Sequence, residues 1–172
     1  MAVRSRLAVP LLVVLAATAA LTVSASAGGS APSCRAQHLR GHLYDSNGAA
    51  GTILLSITLT NKGPLCSLKG YTRLQLMATA RRTLPTHVVH GGLAVLNQKP
   101  KTILLARNGV ASVLLAYSDV VHNDERSCPT GREILVRVPG DATWIPVLAP
   151  TNACAHGTLE ESPLLLGKRH AA

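Results

Sequence analysis

The sequence is poor in aromatic side chains. Its 172 residues include three Tyr, one Trp and no Phe. The core must therefore be built from Leu, Val, Ile and Ala, each of which buries less area than an aromatic ring. The same scarcity argues against binding sites that need several aromatic platforms, such as those for stacked sugars or single-stranded bases. Trp144 alone is enough for one stacking subsite.

The sequence also lacks a recognisable metal site. It contains no C-x-x-C pair. His87 and His90 form an H-x-x-H, but on a strand this spacing places the two imidazoles on opposite sides. His38 and His42 align only on a helix, which Gly41 disfavours. We therefore predict neither a metal nor another cofactor.

Catalytic motifs are missing as well. There is no G-x-S-x-G nucleophile elbow. Ser118, His122 and Asp124 are close in sequence, but proximity in sequence does not make a triad. The acidic pairs Asp124-Glu125 and Glu160-Glu161 look like solvated loops. We predict a non-enzymatic protein, and the alternative is a small secreted hydrolase whose site is not recognisable in sequence.

The N-terminus has the three parts of an export signal. Arg4 and Arg6 precede the mainly apolar run Leu7–Val23, and Ala25-Ser26-Ala27 offers small residues for a signal peptidase. We predict cleavage after Ala27, so that residues 1–27 form a signal peptide and the protein is secreted.

Two other interpretations of this region are weaker. An uncleaved anchor needs about 20 apolar residues, whereas this run spans 7–23 and contains Pro10. A lipid anchor on Cys34 would follow Ala31-Pro32-Ser33, which is a poor lipobox and lies well beyond the run.

The remaining chain has the size of one domain. We predict a flexible segment over 28–33, a single domain over 34–166 and a flexible tail over 167–172 that contains Lys168-Arg169-His170. No later segment shows a sustained helical period. Strands are predicted at Thr52–Asn61, Tyr71–Ala78, Lys101–Ala106, Val110–Tyr117, Glu133–Val138 and Thr143–Leu148, with weaker signals at His38–Tyr44 and Leu164–Leu166.

Turn signals connect these strands. Asn108-Gly109 predicts a hairpin between its flanking strands, and Pro146 restricts the last strand to an edge or a bulge. Many short strands without helices indicate an all-β fold. We predict an immunoglobulin-like antiparallel β-sandwich of about 7–9 strands.

All four cysteines lie in the exported part, where disulfides form. They are embedded in a pattern that comprises Cys34, Thr60-Asn61-Lys62-Gly63, Cys66-Ser67-Leu68-Lys69-Gly70-Tyr71, Gly109-Val110-Ala111-Ser112, Tyr117-Ser118-Asp119, Cys128, Leu135-Val136 with Pro139, Cys154 and Gly157-Thr158-Leu159. This pattern resembles a family of exported actinobacterial proteins that carry domain of unknown function 4232. The resemblance covers Cys34 to about Pro163, implies an immunoglobulin-like sandwich and supplies no catalytic residues.

Four cysteines allow three connectivities. We favour the sequential pairs Cys34–Cys66 and Cys128–Cys154, with which the resemblance agrees. A Cys34–Cys128 or Cys34–Cys154 link would overturn this assignment. The first pair would hold the start of the domain beside the Asn61–Tyr71 turn.

Charge is distributed unevenly along the chain. Residues 28–111 contain ten Lys or Arg and one acid, whereas residues 112–172 contain five Lys or Arg and seven acids. We expect an anion-binding face formed by Arg35, Arg40, Lys69, Arg73, Arg81, Arg82 and Lys99. Because a sandwich interleaves the two halves of its chain, the alternative is that these residues are scattered.

The predicted function is that of a secreted binding or interaction domain, either free or associated with the cell wall. Its partner would be an anionic envelope polymer, lipid head groups or a protein. We expect no nucleic-acid partner and no stable membrane span after signal cleavage.

Overall fold

The computed structural model describes residues 30–79, 81–122 and 124–171. The predicted signal peptide, residues 1–27, lies outside the described residues. The larger of two packed sheets has the strand order β1-β2-β8-β11-β6, with the short β12 also paired to β8. Its strands are β1 (Leu39–Ala49), β2 (Thr52–Asn61), β6 (His87–His90), β8 (Val110–Ser118), β11 (Thr158–Glu161) and β12 (Leu165–Leu166).

The second sheet has the order β10-β9-β4-β5. Its strands are β4 (Arg73–Thr79), β5 (Arg82–Thr83), β9 (Thr130–Arg137) and β10 (Ile145–Asn152). A two-stranded ladder joins β3 (Cys66–Leu68) to β7 (Ile103–Leu105). Between these strands the pairing is antiparallel apart from β6 with β11. In the described part of the chain, the helical elements are the short turns Ala36–His38 and Cys154–Gly157. The predicted immunoglobulin-like antiparallel β-sandwich is confirmed.

Strand β2 has the bounds that its alternation predicted. Leu55, Ile57 and Leu59 point into the core between the sheets and are fully buried. On the opposite face, the polar side chains Ser56 and Thr58 are also buried. Ser56 Oγ donates a hydrogen bond to the backbone carbonyl of Arg169, because the C-terminal segment lies across this face.

Residues 167–171 are therefore packed against the first sheet, although their composition predicted a flexible tail. His170 Nδ1 lies 2.9 Å from Asp45 Oδ2, and the backbone N–H of Ala171 donates to the same oxygen. Ser112 Oγ accepts the backbone N–H of Arg169. The tail thus forms a partial third layer outside the sandwich.

The two sheets meet closely where β1 passes β10. A Cβ on Gly41 would lie 2.6 Å from Val147 Cγ2, so only glycine permits this approach. Strand β10 is an edge strand, as Pro146 predicted. Its alternating burial places Ile145 and Val147 in the core, which closes the sandwich at this corner.

Both predicted disulfides are present. Cys34–Cys66 joins Cα atoms 4.9 Å apart, and Cys128–Cys154 joins Cα atoms 4.4 Å apart. The first bridge holds the start of the domain against β3, where Ser33 also pairs with Ser67. The second closes the segment that contains β9 and β10. Bonded cysteines indicate an oxidising, extracellular type of environment.

The predicted hairpin at Asn108-Gly109 is wrong. A tight turn forms, with the N–H of Gly109 donating to the carbonyl of Ala106, but β7 pairs with β3 and β8 pairs with β2 and β11. The buried Asn61 side chain explains the separation. Its Nδ2 donates to the carbonyls of Leu105 and Ala106, at 2.9 and 3.3 Å, at the end of β7. The turn is therefore bound to the end of β2 and does not continue as a ladder.

No helix among the described residues is long and apolar enough to cross a membrane.

Candidate functional site

Two arginines lie opposite each other on the outer face of the second sheet. Arg73, the first residue of β4, is in register with Arg137, the last residue of β9. Their neighbours Leu74 and Val136 point into the core, so both arginines point outward. Like charges directly opposite each other destabilise a sheet. Over the described residues, neither guanidinium forms an ion pair with a carboxylate.

Trp144 orients one of these arginines. The guanidinium carbon of Arg137 lies 4.6 Å from the centroid of the indole ring, a cation–π contact. Trp144 immediately precedes β10, whose first residue, Ile145, pairs with Val136. The edge strand thus places the indole beside the arginine pair, and Trp144 as a residue is still 36% exposed.

A second pair of rings lies next to the arginines. Tyr71 and His90 are stacked, with ring centroids 3.8 Å apart and an interplanar angle of 6°. Tyr71 precedes β4, and His90 ends β6 of the other sheet. The stack therefore connects the segment that precedes β4 in the second sheet to the end of β6 in the first.

A buried carboxyl group lies behind this stack. Glu161 is fully buried and pairs with His90 across β11 and β6. Its Oε1 accepts hydrogen bonds from the backbone N–H and the hydroxyl of Thr72. Its Oε2 has no hydrogen-bond partner and lies 3.7 Å from His90 Nε2. Burial raises the pKa of Glu161 to about 7, against the lowering effect of the two Thr72 hydrogen bonds.

The arginines and the rings of Tyr71, His90 and Trp144 line two adjoining cavities. One has a volume of about 510 Å³ and contains Arg137 and the loop 138–142 in its wall. The other, of about 450 Å³, contains His90 and Trp144. Tyr71 and Arg73 line both cavities. We call the combined depression the arginine groove and define it by the five residues Tyr71, Arg73, His90, Arg137 and Trp144.

One acid borders the arginine groove. Asp141 Oδ1 accepts the N–H of Thr143 at 2.8 Å, and Oδ2 accepts the N–H of Ala36 at 2.9 Å. These bonds, led by the one from Thr143, lower the pKa of Asp141, and Arg35 contributes by charge. The two bonds from the backbone fix the loop, and over the described residues Asp141 forms no ion pair with Arg73 or Arg137.

The seven residues of the expected anion-binding face are distributed over both sheets. Arg73 lies in the arginine groove, whereas Arg81 and Arg82 follow the far end of β4. Arg40 lines a neighbouring cavity of about 320 Å³ on β1, which shares Trp144 with the groove. Lys99 lines a separate cavity near β12. Arg35 is close enough to Asp141 to influence its pKa, and Lys69 follows β3.

The sequence indicated Trp144 as a possible stacking residue, but it did not predict the groove, in which Tyr71, His90 and Arg137 join it, or the burial of Glu161. Tyr71, His90, Arg137 and Trp144 come from four separate chain segments, so only the strand register brings them together. The interpretation of Glu160-Glu161 as a solvated loop is wrong for Glu161, which is buried on β11. The sequence did contain a signal for this burial, because Leu159 and Glu161 are two residues apart and therefore lie on the same face of a strand.

The other acidic pair also has a structural role. The Glu125 carboxylate accepts the N–H groups of Ala155 and His156, whose φ values of 51° and 58° are left-handed. The His156 hydrogen bond is the largest cause that lowers the pKa of Glu125. Asp124 hydrogen-bonds His156 Nε2 at 2.8 Å and raises the pKa of that imidazole. This cluster stabilises a strained turn.

The remaining sequence candidates have other partners. Glu125 lies near the sulfurs of Cys128 and Cys154, but the two sulfurs are bonded to each other and cannot act as thiolate ligands. Ser118 Oγ exchanges hydrogen bonds with the backbone of Val120. Among the described contacts it has none with His122.

A family model described as "Domain of unknown function (DUF4232)" matches residues 34–164. No curated protein and no solved structure matches the chain.

Proposed function

Because the chain belongs to the family Domain of unknown function (DUF4232), which brings no assigned activity, we propose a function from the arginine groove. The protein is a secreted, non-enzymatic domain that binds an anionic polymer of the cell envelope. The single observation that carries this proposal is the unpaired arrangement of Arg73 directly opposite Arg137. The predicted export signal over residues 1–27 and the two disulfides support a location outside the cell.

The arginine pair suits a phosphate or carboxylate. An anion between Arg73 and Arg137 would convert a repulsive contact into two charge-assisted, potentially bidentate pairs. The cation–π contact with Trp144 holds Arg137, so less side-chain freedom is lost on binding. The site therefore favours an acidic group over a neutral one.

The rings beside the arginines favour a ligand that is more than a bare ion. The chain has only four Tyr and Trp side chains, and two of them, Tyr71 and Trp144, line the arginine groove. Flat side chains next to guanidinium groups suit sugar or other ring units that carry an acidic group. An envelope polymer with such repeating units matches both features.

The alternative is a small hydrolase that uses His90 with Glu161 behind it. The raised pKa of Glu161 and its contact with His90 favour this candidate. However, Glu161 is fully buried and its carboxyl lines neither cavity of the groove. It is placed to support the fold and the His90 ring, so binding is the better supported function.

Cosedimentation with cell-wall fragments tests the proposal. The exported protein should pellet with untreated fragments at low salt and be released at high salt, because exposed charges are screened. Fragments stripped of their phosphate polymers should retain much less of it. Anionic liposomes serve as a second arm, and binding to liposomes alone would contradict the assignment to a polymer.

Two arginine variants sharpen the test. R73Q/R137Q should weaken binding by at least about tenfold, since hydrogen bonds to charged groups contribute roughly 1.5–3 kcal/mol each. R81Q/R82Q removes the same charge at the other end of β4 and is the matched control. Equal losses of binding in the two variants would show that only net charge matters and would overturn the assignment of binding to the groove. Hydrolysis of the fragments by the wild type, abolished in H90Q, would favour the enzyme.

A further inference from the structure

The cavity lined by Lys99 is built partly from β12 of the first sheet. It has a volume of about 580 Å³ and lies between the segment 98–103 and the segment 164–169. It shares no lining residue with the arginine groove. Its size is that of a small-molecule site, and we call it the lysine-rimmed cavity.

The inner wall of the lysine-rimmed cavity is apolar. Ile103 and Leu164 are buried and form its floor, and Leu165 is half-buried beside them. Leu166 is 54% exposed. A ligand with an alkyl chain would cover Leu166 and gain about 25 cal/mol for each Å² of apolar surface removed from water.

The rim of the cavity is cationic. Lys99, Lys101 and Arg169 are exposed and line it together, and no Asp or Glu lines it. Within the described part of the chain, none of the three forms an ion pair with a carboxylate. Asp45, which contacts the same tail, is already bound to His170 and Ala171. The rim thus offers three positive charges above an apolar floor.

The backbone of one wall of the cavity, the segment 164–169, is fixed. Strand β12 pairs with β8, the N–H of Gly167 donates to the carbonyl of Val110, and the backbone of Arg169 is held by Ser56 and Ser112. This wall is therefore formed before a ligand arrives, which reduces the entropic cost of binding.

We propose that the lysine-rimmed cavity binds a single-chain anionic amphiphile as a monomer. The alkyl chain lies along Leu164 and Leu166, and the phosphate or carboxylate head group contacts Lys99, Lys101 and Arg169. The apolar floor fits the alkyl chain and the cationic rim fits the head group, whereas an inorganic anion would leave the apolar wall uncovered. The site is independent of the arginine groove and of the function proposed for it.

Titration calorimetry with short amphiphiles below their micelle concentrations tests this site. Octyl phosphate should bind, whereas octyl glucoside, with the same chain and a neutral head, should bind at least tenfold more weakly. Inorganic phosphate should also bind at least tenfold more weakly than octyl phosphate. An affinity for inorganic phosphate equal to that for octyl phosphate would overturn the proposal, as would the absence of octyl phosphate binding.

Variants locate the binding. K99Q/K101Q and L166Q should each weaken octyl phosphate binding at least fivefold, and both change exposed side chains that the fold does not need. R81Q/R82Q removes the same charge as K99Q/K101Q at exposed positions that line neither cavity, so it is the matched control and should leave this affinity unchanged. Unchanged affinity in K99Q/K101Q would contradict the site. Binding to anionic vesicles without binding of the monomer would assign this face to a membrane surface and overturn the proposal.

Discussion

The carboxyl group of Glu161 accepts the backbone N–H of Thr72 at 2.9 Å and so joins β11 of the first sheet to the segment that enters β4 of the second. This bond holds Tyr71 in place for its stack with His90. A buried acid thus supports one wall of the arginine groove without lining it.

Glu161 should make stability depend on pH. Its pKa is raised from 4.5 to about 7, so between these values the folded protein binds more protons than the unfolded chain. Stability should therefore fall as pH rises from 4.5 to 7, by roughly 3 kcal/mol in total from this group. E161Q should remove this slope, because glutamine keeps an acceptor for Thr72 and carries no charge.

Chemical denaturation at a series of pH values measures this effect. E160Q, at the adjacent half-exposed position, is the matched control and should retain the wild-type slope. A slope that persists in E161Q would mean that another group is responsible.

Asn61 should be a major determinant of stability. Its buried amide donates to the carbonyls of Pro64, Leu105 and Ala106 and accepts the N–H of Gly63. N61A would leave these groups unsatisfied at the junction of β2, β3 and β7. We expect a loss of roughly 3 kcal/mol in the free energy of unfolding. N47A, at an exposed position of β1, should change it by less than about 0.5 kcal/mol; equal effects would refute the assigned role.

Glu125 should contribute to stability at neutral pH and not in acid. Its pKa is lowered below 4.5, first by the hydrogen bond from His156. Its stabilising effect is therefore complete above 4.5 and is lost as pH falls through the lowered value. E125Q should unfold at a lower temperature than the wild type at pH 7, and the difference should shrink in acid. Calorimetry across this range, with E133Q as control, would contradict the account if the difference were independent of pH.

The sequence carried enough information for much of the fold. Alternation located β2 to the residue, because its inward side chains Leu55, Ile57 and Leu59 build the core. Pro146 predicted the edge position of β10, since proline cannot donate to a ladder. The sequential pairing of the cysteines also proved correct.

The errors have a common physical cause. Asn108-Gly109 has the local signal of a hairpin. However, the side chain of the distant Asn61 donates hydrogen bonds to the carbonyls of Leu105 and Ala106, just before this turn, and so separates the flanking strands. Arg137 was not expected near Arg73, because their register depends on strands far apart in sequence. Local patterns predict turns and strand faces, whereas pairing between distant strands determines the site.

The most direct test of the arginine groove is a double-mutant cycle on Arg73 and Arg137. Unfolding free energies of the wild type, R73Q, R137Q and R73Q/R137Q at low salt give the coupling between the two side chains. The account predicts a repulsive coupling of roughly 0.5 kcal/mol, and soluble polyphosphate should stabilise the wild type far more than any variant. A zero or attractive coupling, with equal stabilisation of all four proteins by polyphosphate, would contradict it.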